Sequence, residues 1–240
     1  MSFGLECKKV KRTGFFPALI VGGLFSAIVP VLNMAVRSDN YIRLENSPIQ
    51  ILMNANWQMM AMLNVLLFVV GACLMYHTEY ADNGIQKMCT LPTKEKNLFF
   101  GKFVLLLVMG IVVLTLEASA IAFSTAYWFD TFSNWGLELL KCFGYAFLLM
   151  LPAVLSSLLI ASLCKNMWVS LGIGVICVFT ATMLPMNNFV VSLFPFALPF
   201  QMFVGAAENT VRNMIIASIA EIIIIAFVEV LLLKVRRSME

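Results

Sequence analysis

Charge is scarce in this chain of 240 residues: Asp, Glu, Lys and Arg together supply 12% of it. A soluble domain carries about a quarter charged residues because it must wet its surface. A water-soluble globule is therefore excluded, and so are a disordered tail and a coiled coil. Histidine is almost missing, with His77 alone. One imidazole cannot build a His-Glu-x-x-His zinc site, and only His77 could activate a serine or cysteine nucleophile. No phosphate-cradling G-x-x-x-x-G-K-[S/T] loop occurs. The sole Gly-Lys pair, Gly101-Lys102, has Lys96 where the first glycine would stand and Phe103 where the hydroxyl would stand. The six cysteines show no C-x-x-C spacing. Cys7, Cys73, Cys89, Cys142, Cys164 and Cys177 read as small packing residues rather than cross-links. A net charge of +3 is too small to point to nucleic acid.

What the chain has in abundance is apolar surface: 61% hydrophobic residues and a mean hydropathy of +0.93. Six stretches approach the roughly 20 helical residues needed to cross a hydrocarbon core of about 30 Å. They lie near 14–36, 57–76, 103–126, 142–164, 168–189 and 214–233. None alternates as a barrel strand would. The expected fold is a single all-α integral membrane domain over 1–240 with six transmembrane helices. Twelve Lys and Arg residues fall on the side of the termini and of the 77–102 loop, and four (Arg37, Arg43, Lys141, Arg212) on the other. The positive-inside rule then places both termini and that loop in the cytoplasm. The basic run from Lys8 to Arg12 imitates a signal-peptide n-region, but the following apolar run is too long and lacks a small-residue cleavage site, so the first span is expected to be retained. On the outer side, 37–56 reads as a polar loop. The segment 185–213 is too apolar for one, and Pro195 and Pro199 forbid a full span there. It reads as a re-entrant hairpin before the last span, dipping into the outer leaflet.

The cytoplasmic loop carries the most information. Helical spacing puts Tyr80, Gly84, Lys87 and Met88 on one stripe, with Glu79 and Asn83 beside it, and Leu91-Pro92 would end such a helix. The order Glu79…Asn83-Gly84…Leu91-Pro92…Lys96…Gly101-Lys102, after the second of six spans, resembles the coupling loop of ABC-2-type permeases. The leading Glu6-Cys7-Lys8-Lys9-Val10-Lys11-Arg12-Thr13 is similar to the amino-terminal segment of permeases for lantibiotic self-immunity exporters. The resemblance implies that 79–88 is a coupling helix, with Glu79, Tyr80, Asn83, Gly84, Lys87 and Met88 receiving the movement of a separate ABC ATPase. It implies two ATPase copies that bind ATP and Mg, with no cofactor in this chain. A second, homologous permease, a lantibiotic-like peptide substrate and a bacterial cytoplasmic membrane are implied as well. The amino-terminal basic segment would be an interfacial helix that steers the first span.

Acidic residues within spans form a second set. A charge at mid-bilayer costs about 2.5–3.5 kcal/mol on insertion scales, so Glu117, Glu221 and Glu229 must face protein or water. Each is a candidate for a substrate path or an interhelical hydrogen bond; Glu229 lies about a turn from Lys234 and could pair with it. Gly22-x-x-x-Ser26 and Gly23-x-x-x-Ala27 allow close helix approach, within the chain or against a second permease. Pro30 and Pro152 are expected to kink their spans, and Trp57, Trp128, Trp135 and Trp168 to mark span ends. Two alternatives remain: an ABC-2 permease for another antibiotic, a lipid or an ion, or a membrane scaffold or secondary transporter using the buried glutamates.

Overall fold

The structure is a computed structural model that describes residues 2–11, 13–80, 95–129, 134–184 and 189–239. Among these it is helical, with no strand. In order, the elements are α1 (Ser2–Val10), α2 (Phe15–Ile42), α3 (Pro48–Tyr80), α4 (Glu95–Trp128), α5 (Trp135–Leu163), α6 (Met167–Met183), the one-turn α7 (Phe189–Ser192), a 3-10 turn (Leu198–Phe200) and α8 (Glu208–Met239). Five helices, α2, α3, α4, α5 and α8, are long and apolar enough to cross a membrane. The sixth apolar helix, α6, has 17 residues, or about 26 Å at 1.5 Å per residue, and stops at Met183 rather than at 189.

Side-chain contacts fix how the helices run. Trp57 and Phe143 meet edge to face in the first halves of α3 and α5, and Tyr80 donates to the Ser162 carbonyl near their ends, so these two are parallel. Ser26 and Asn64 both reach Glu117, Asn33 reaches Asn56, and Lys102 reaches Glu79; hence α2 and α4 run against α3. Cys73 lies 3.2 Å from Ser170, and Gly174 abuts Val69, which sets α6 antiparallel to α3. Ser218 donates to the Leu148 carbonyl, and Glu138 and Glu208, near the starts of α5 and α8, line one cleft, so α8 follows α5. These six helices thus alternate in direction around α3.

In a bilayer, lipid is as apolar as leucine, so close packing and interhelical hydrogen bonds hold such a bundle rather than exclusion of water. Glycine creates the closest approaches. A Cβ on Gly71 would lie 2.8 Å from Leu106 and 3.1 Å from Phe15. Gly22 faces Leu67 and Gly23 faces Val113, so the small-residue pattern of α2 serves packing inside this chain. Gly14, at φ 78°, turns the chain from α1 into α2 in a conformation that a Cβ would strain. Pro152 has no N–H for the Leu148 carbonyl, and the Ser218 hydroxyl takes that place at 2.9 Å.

Several expectations need correction. The 37–56 segment is not a polar loop: α2 continues to Ile42 with a non-helical break at Arg37, and α3 begins at Pro48. Polar helix ends satisfy their own backbone outside the hydrocarbon, where hydropathy gives no signal. Trp57 does not mark a boundary. It is 1% exposed, about a quarter of the way into α3, and its indole donates to the Pro199 carbonyl at 3.1 Å. Trp128, Trp135 and Trp168 do lie at helix ends. The 185–213 segment holds a one-turn helix, a 3-10 turn and the start of α8, with 185–188 outside the described residues. Its core, Phe196, Ala197, Leu198, Pro199 and Phe200, is buried. The turn packs on α3 and α5, which shield its broken backbone from lipid. The five described cysteines, Cys7, Cys73, Cys142, Cys164 and Cys177, are free thiols.

Candidate functional site

The last turn of α3 carries Tyr76, Glu79 and Tyr80. A carboxylate is poorly placed there, because the helix C-terminus is itself partially negative. Its compensation comes from two neighbours. Lys102, seven residues into α4 and 1% exposed, donates directly to Glu79 Oε1. Lys9, near the end of α1 and one-third exposed, donates to the same oxygen at 3.5 Å. The Lys102 ammonium also sits 5.1 Å from the centre of the Tyr76 ring, an aromatic face that favours a cation. Tyr80, tilted beside Tyr76 with ring centres 6.4 Å apart, donates to the Ser162 carbonyl. That carbonyl belongs to the last turn of α5, which has no helical N–H left to accept from. One turn of α3 therefore ties α1, α4 and α5 together.

The position of this knot matters more than its strength. α3 ends at Tyr80, one residue past Glu79, and α4 begins at Glu95, about two turns before Lys102, so the ion pair joins the two helices that flank the intervening segment. α1 is fastened to the base by Lys9 and by the buried Val10. The helix closes on itself there, with Thr13 Oγ1 donating to the Val10 carbonyl at 2.8 Å. Of the six coupling residues expected from sequence, Glu79 and Tyr80 are in the knot; Asn83, Gly84, Lys87 and Met88 lie outside the described residues.

The membrane glutamates separate into different settings. Glu117, fully buried, accepts from the Ser26 hydroxyl and, at 2.9 Å, from the Asn64 amide, and so joins α2, α3 and α4. Further along the same seam, Asn33 donates to Asn56 at 2.8 Å and lies 3.1 Å from the Tyr41 hydroxyl. Glu221 is half-buried on α8, and neither carboxyl oxygen has a hydrogen-bond partner among the described residues. Glu229 is buried on α8; the side chain of Lys234, its expected partner, is outside those described. At the opposite end from the knot, a cleft of about 350 Å³ opens between Glu138, Phe203, Val204, Glu208 and Val211.

Sequence reasoning missed Lys9 and Lys102 as partners of Glu79, and Ser26 and Asn64 as partners of Glu117. The latter left a trace. Asn64 interrupts an otherwise apolar run from Met59 to Met75.

The model of the ABC-2 family transporter protein family matches residues 3–181, a stretch that holds α1 through almost all of α6. No curated protein and no solved structure matches.

Proposed function

Because the chain belongs to the ABC-2 transporter family, a multi-pass membrane family whose members work with an ABC ATPase, we propose that it is the permease subunit of an ATP-driven exporter that removes a lantibiotic-like antimicrobial peptide from a bacterial cytoplasmic membrane. The observation that carries this reading is the ion-paired base formed by Glu79, Lys102 and Lys9 at the mouth of the 81–94 segment. A push on that segment enters α3 and α4 together, because the end of α3 is tied to α4 at Lys102, and passes to α1 through Lys9. The turn at Gly14 then carries it into α2.

In this reading α2 through α6 and α8 make six crossings, with both termini and the 77–102 loop in the cytosol. Two ATPase copies bind ATP and Mg, and this chain performs no catalysis. A second, homologous permease completes the pathway. Movement of α2 and α3 alters an outward face near 189–203, where an amphipathic peptide is intercepted. The peptide cargo rests on the resemblance of the amino-terminal lead, Glu6 through Thr13.

The test has two arms. Photocrosslinkers at Asn83 and Lys87 in whole cells are expected to capture an ATPase of ABC size; labelling from the cell exterior instead would overturn the mechanism. Deletion of the chain is expected to sensitise cells to one peptide antibiotic. Intact ATPase capture with unchanged peptide sensitivity would leave the permease and replace the cargo by another antibiotic, a lipid or an ion.

A further inference from the structure

Glu117 raises a problem of charge that its hydrogen bonds do not solve. It is the only charged residue in 103–128 of α4, and it is fully buried. The facing stretches, 15–36 of α2 and 49–76 of α3, contain no Lys, Arg, His, Asp or Glu; their titratable side chains are Cys73 and Tyr76. On α5 the stretch 142–164 offers only Cys142, Tyr145 and Cys164, and on α8 the apolar stretch adds Glu221 and Glu229, which are acidic. Beyond these stretches, Arg37 of α2, Lys141 of α5 and Arg212 of α8 are exposed toward the end of the bundle opposite the knot. At the other end stand the lysines of the basal knot. Lys102 is 15 residues away along α4, which is about 22 Å at 1.5 Å per residue. Among the described residues, no cation pairs with Glu117.

Two neutral donors cannot replace a counter-charge in this medium. Burying an unpaired ionised carboxylate is among the costliest arrangements a protein can hold. A second, independent mismatch lies beside it. Asn64, also fully buried, gives its amide N–H₂ to Glu117, while its Oδ1 has no hydrogen-bond partner among the described residues. The site therefore has one negative charge too many and one acceptor oxygen left over. Both discrepancies have the same sign: a bound proton answers the first, and a metal cation shared by the carboxylate and that oxygen answers both.

We infer that Glu117, with Asn64 and Ser26, forms an intramembrane site for a single monovalent cation, a proton or a sodium ion. The ligands come from three helices, so the site exists only while α2 lies against α3 and α4. Ser26 is also the residue whose carbonyl loses its helical donor to Pro30, so α2 is less tightly bonded at this level. Separation of α2 removes Ser26, admits water and releases the cation. The site thereby reports the position of α2. This inference rests on burial and charge and is independent of the cargo.

The experiment uses the purified full chain in lipid nanodiscs at neutral pH. Difference infrared spectroscopy between wild type and Glu117→Gln, in sodium-free potassium buffer, reads the carboxyl of Glu117. Binding of ²²Na⁺ to the same samples reads the metal. A carboxylic-acid carbonyl band lost in Glu117→Gln, without bound sodium, identifies the proton. One equivalent of ²²Na⁺, lost in Glu117→Gln, identifies sodium. Ser26→Ala keeps the carboxyl and provides a second folded variant, in which the acid band shifts in frequency or sodium binding weakens. An ionised carboxylate band for Glu117 with no sodium bound overturns the inference.

Discussion

Removing the Lys102 ammonium tests the basal knot most directly. In Lys102→Met the stem volume is nearly kept, while Glu79 loses the partner that donates to it at the buried end of the pair. Breaking one side of a buried ion pair costs about 3–5 kcal/mol, because the other charge is left in a medium that does not solvate it. Lys9 still stands 3.5 Å from Glu79 and is one-third exposed, so it recovers part of that loss. The expected cost is the low end, about 3 kcal/mol, or roughly 150-fold in the folding equilibrium at 1.4 kcal/mol per factor of ten. Glu79→Gln should cost a similar amount, since it leaves the ammonium of Lys102 buried against a neutral amide. The double variant removes both charges and should be at least about 2 kcal/mol more stable than the sum of the singles. Equilibrium unfolding from bicelles by SDS, followed by tryptophan fluorescence, measures all three. Single-variant losses under about 0.5 kcal/mol, or additivity within that margin, would refute the claim that the two side chains act as a pair.

Other consequences follow from particular contacts. Ser218→Ala should cost about 1 kcal/mol by stranding the Leu148 carbonyl, and much less in a Pro152→Ala background, where the backbone N–H restored at that position can donate to the carbonyl; equal costs in both backgrounds would contradict the pairing. Trp57→Ala should cost about 3–5 kcal/mol, and Trp57→Phe less, with protease protection of the 189–203 segment reduced in both; unchanged protection would separate the indole from Pro199. Gly71→Val should force α3 away from Leu106 and Phe15 and destabilise by about 1–3 kcal/mol, read as a lower SDS midpoint, whereas an unaltered midpoint would deny the close approach. High salt should weaken the exposed Lys9 contribution and leave that of Lys102 nearly intact, which Lys9→Met and Lys102→Met compared at low and high ionic strength would reveal.

How much of this was legible in the residues depends on the physics behind each feature. Long apolar runs located the membrane helices, because hydrocarbon thickness sets their length. The same signal stopped short at Arg37 to Ile42 and at Glu95 to Lys102, which lie on helices that extend past the apolar run. Tryptophan at a membrane interface is a preference of an isolated amphipathic ring. Trp57 departs from it because Pro199, 142 residues later, supplies the acceptor its N–H needs. Glu79 and Gly101-Lys102 were both visible as parts of one motif, but the ion pair depends on a chain reversal that neither residue encodes. Glu117 stood out at once as a charge in an apolar run; its partners Ser26 and Asn64 are ordinary-looking polar residues on helices made earlier.

The placement of α3 at the centre also dictates an order of assembly. This helix leaves the ribosome second among the long ones, yet the partners of its polar groups arrive only afterwards and in stages, on α4, on α5 and in the turn after α6. Asn64 waits for Glu117, Tyr80 for Ser162, and Trp57 for Pro199. Until each partner is made, the corresponding polar group of α3 must sit in lipid unsatisfied, Trp57 for longest. A defect at Trp57 would pass unnoticed through most of translation and surface only when the 198–200 turn tries to dock, so quality-control proteases should meet that variant later than one at Asn64, whose partner comes with the next long helix.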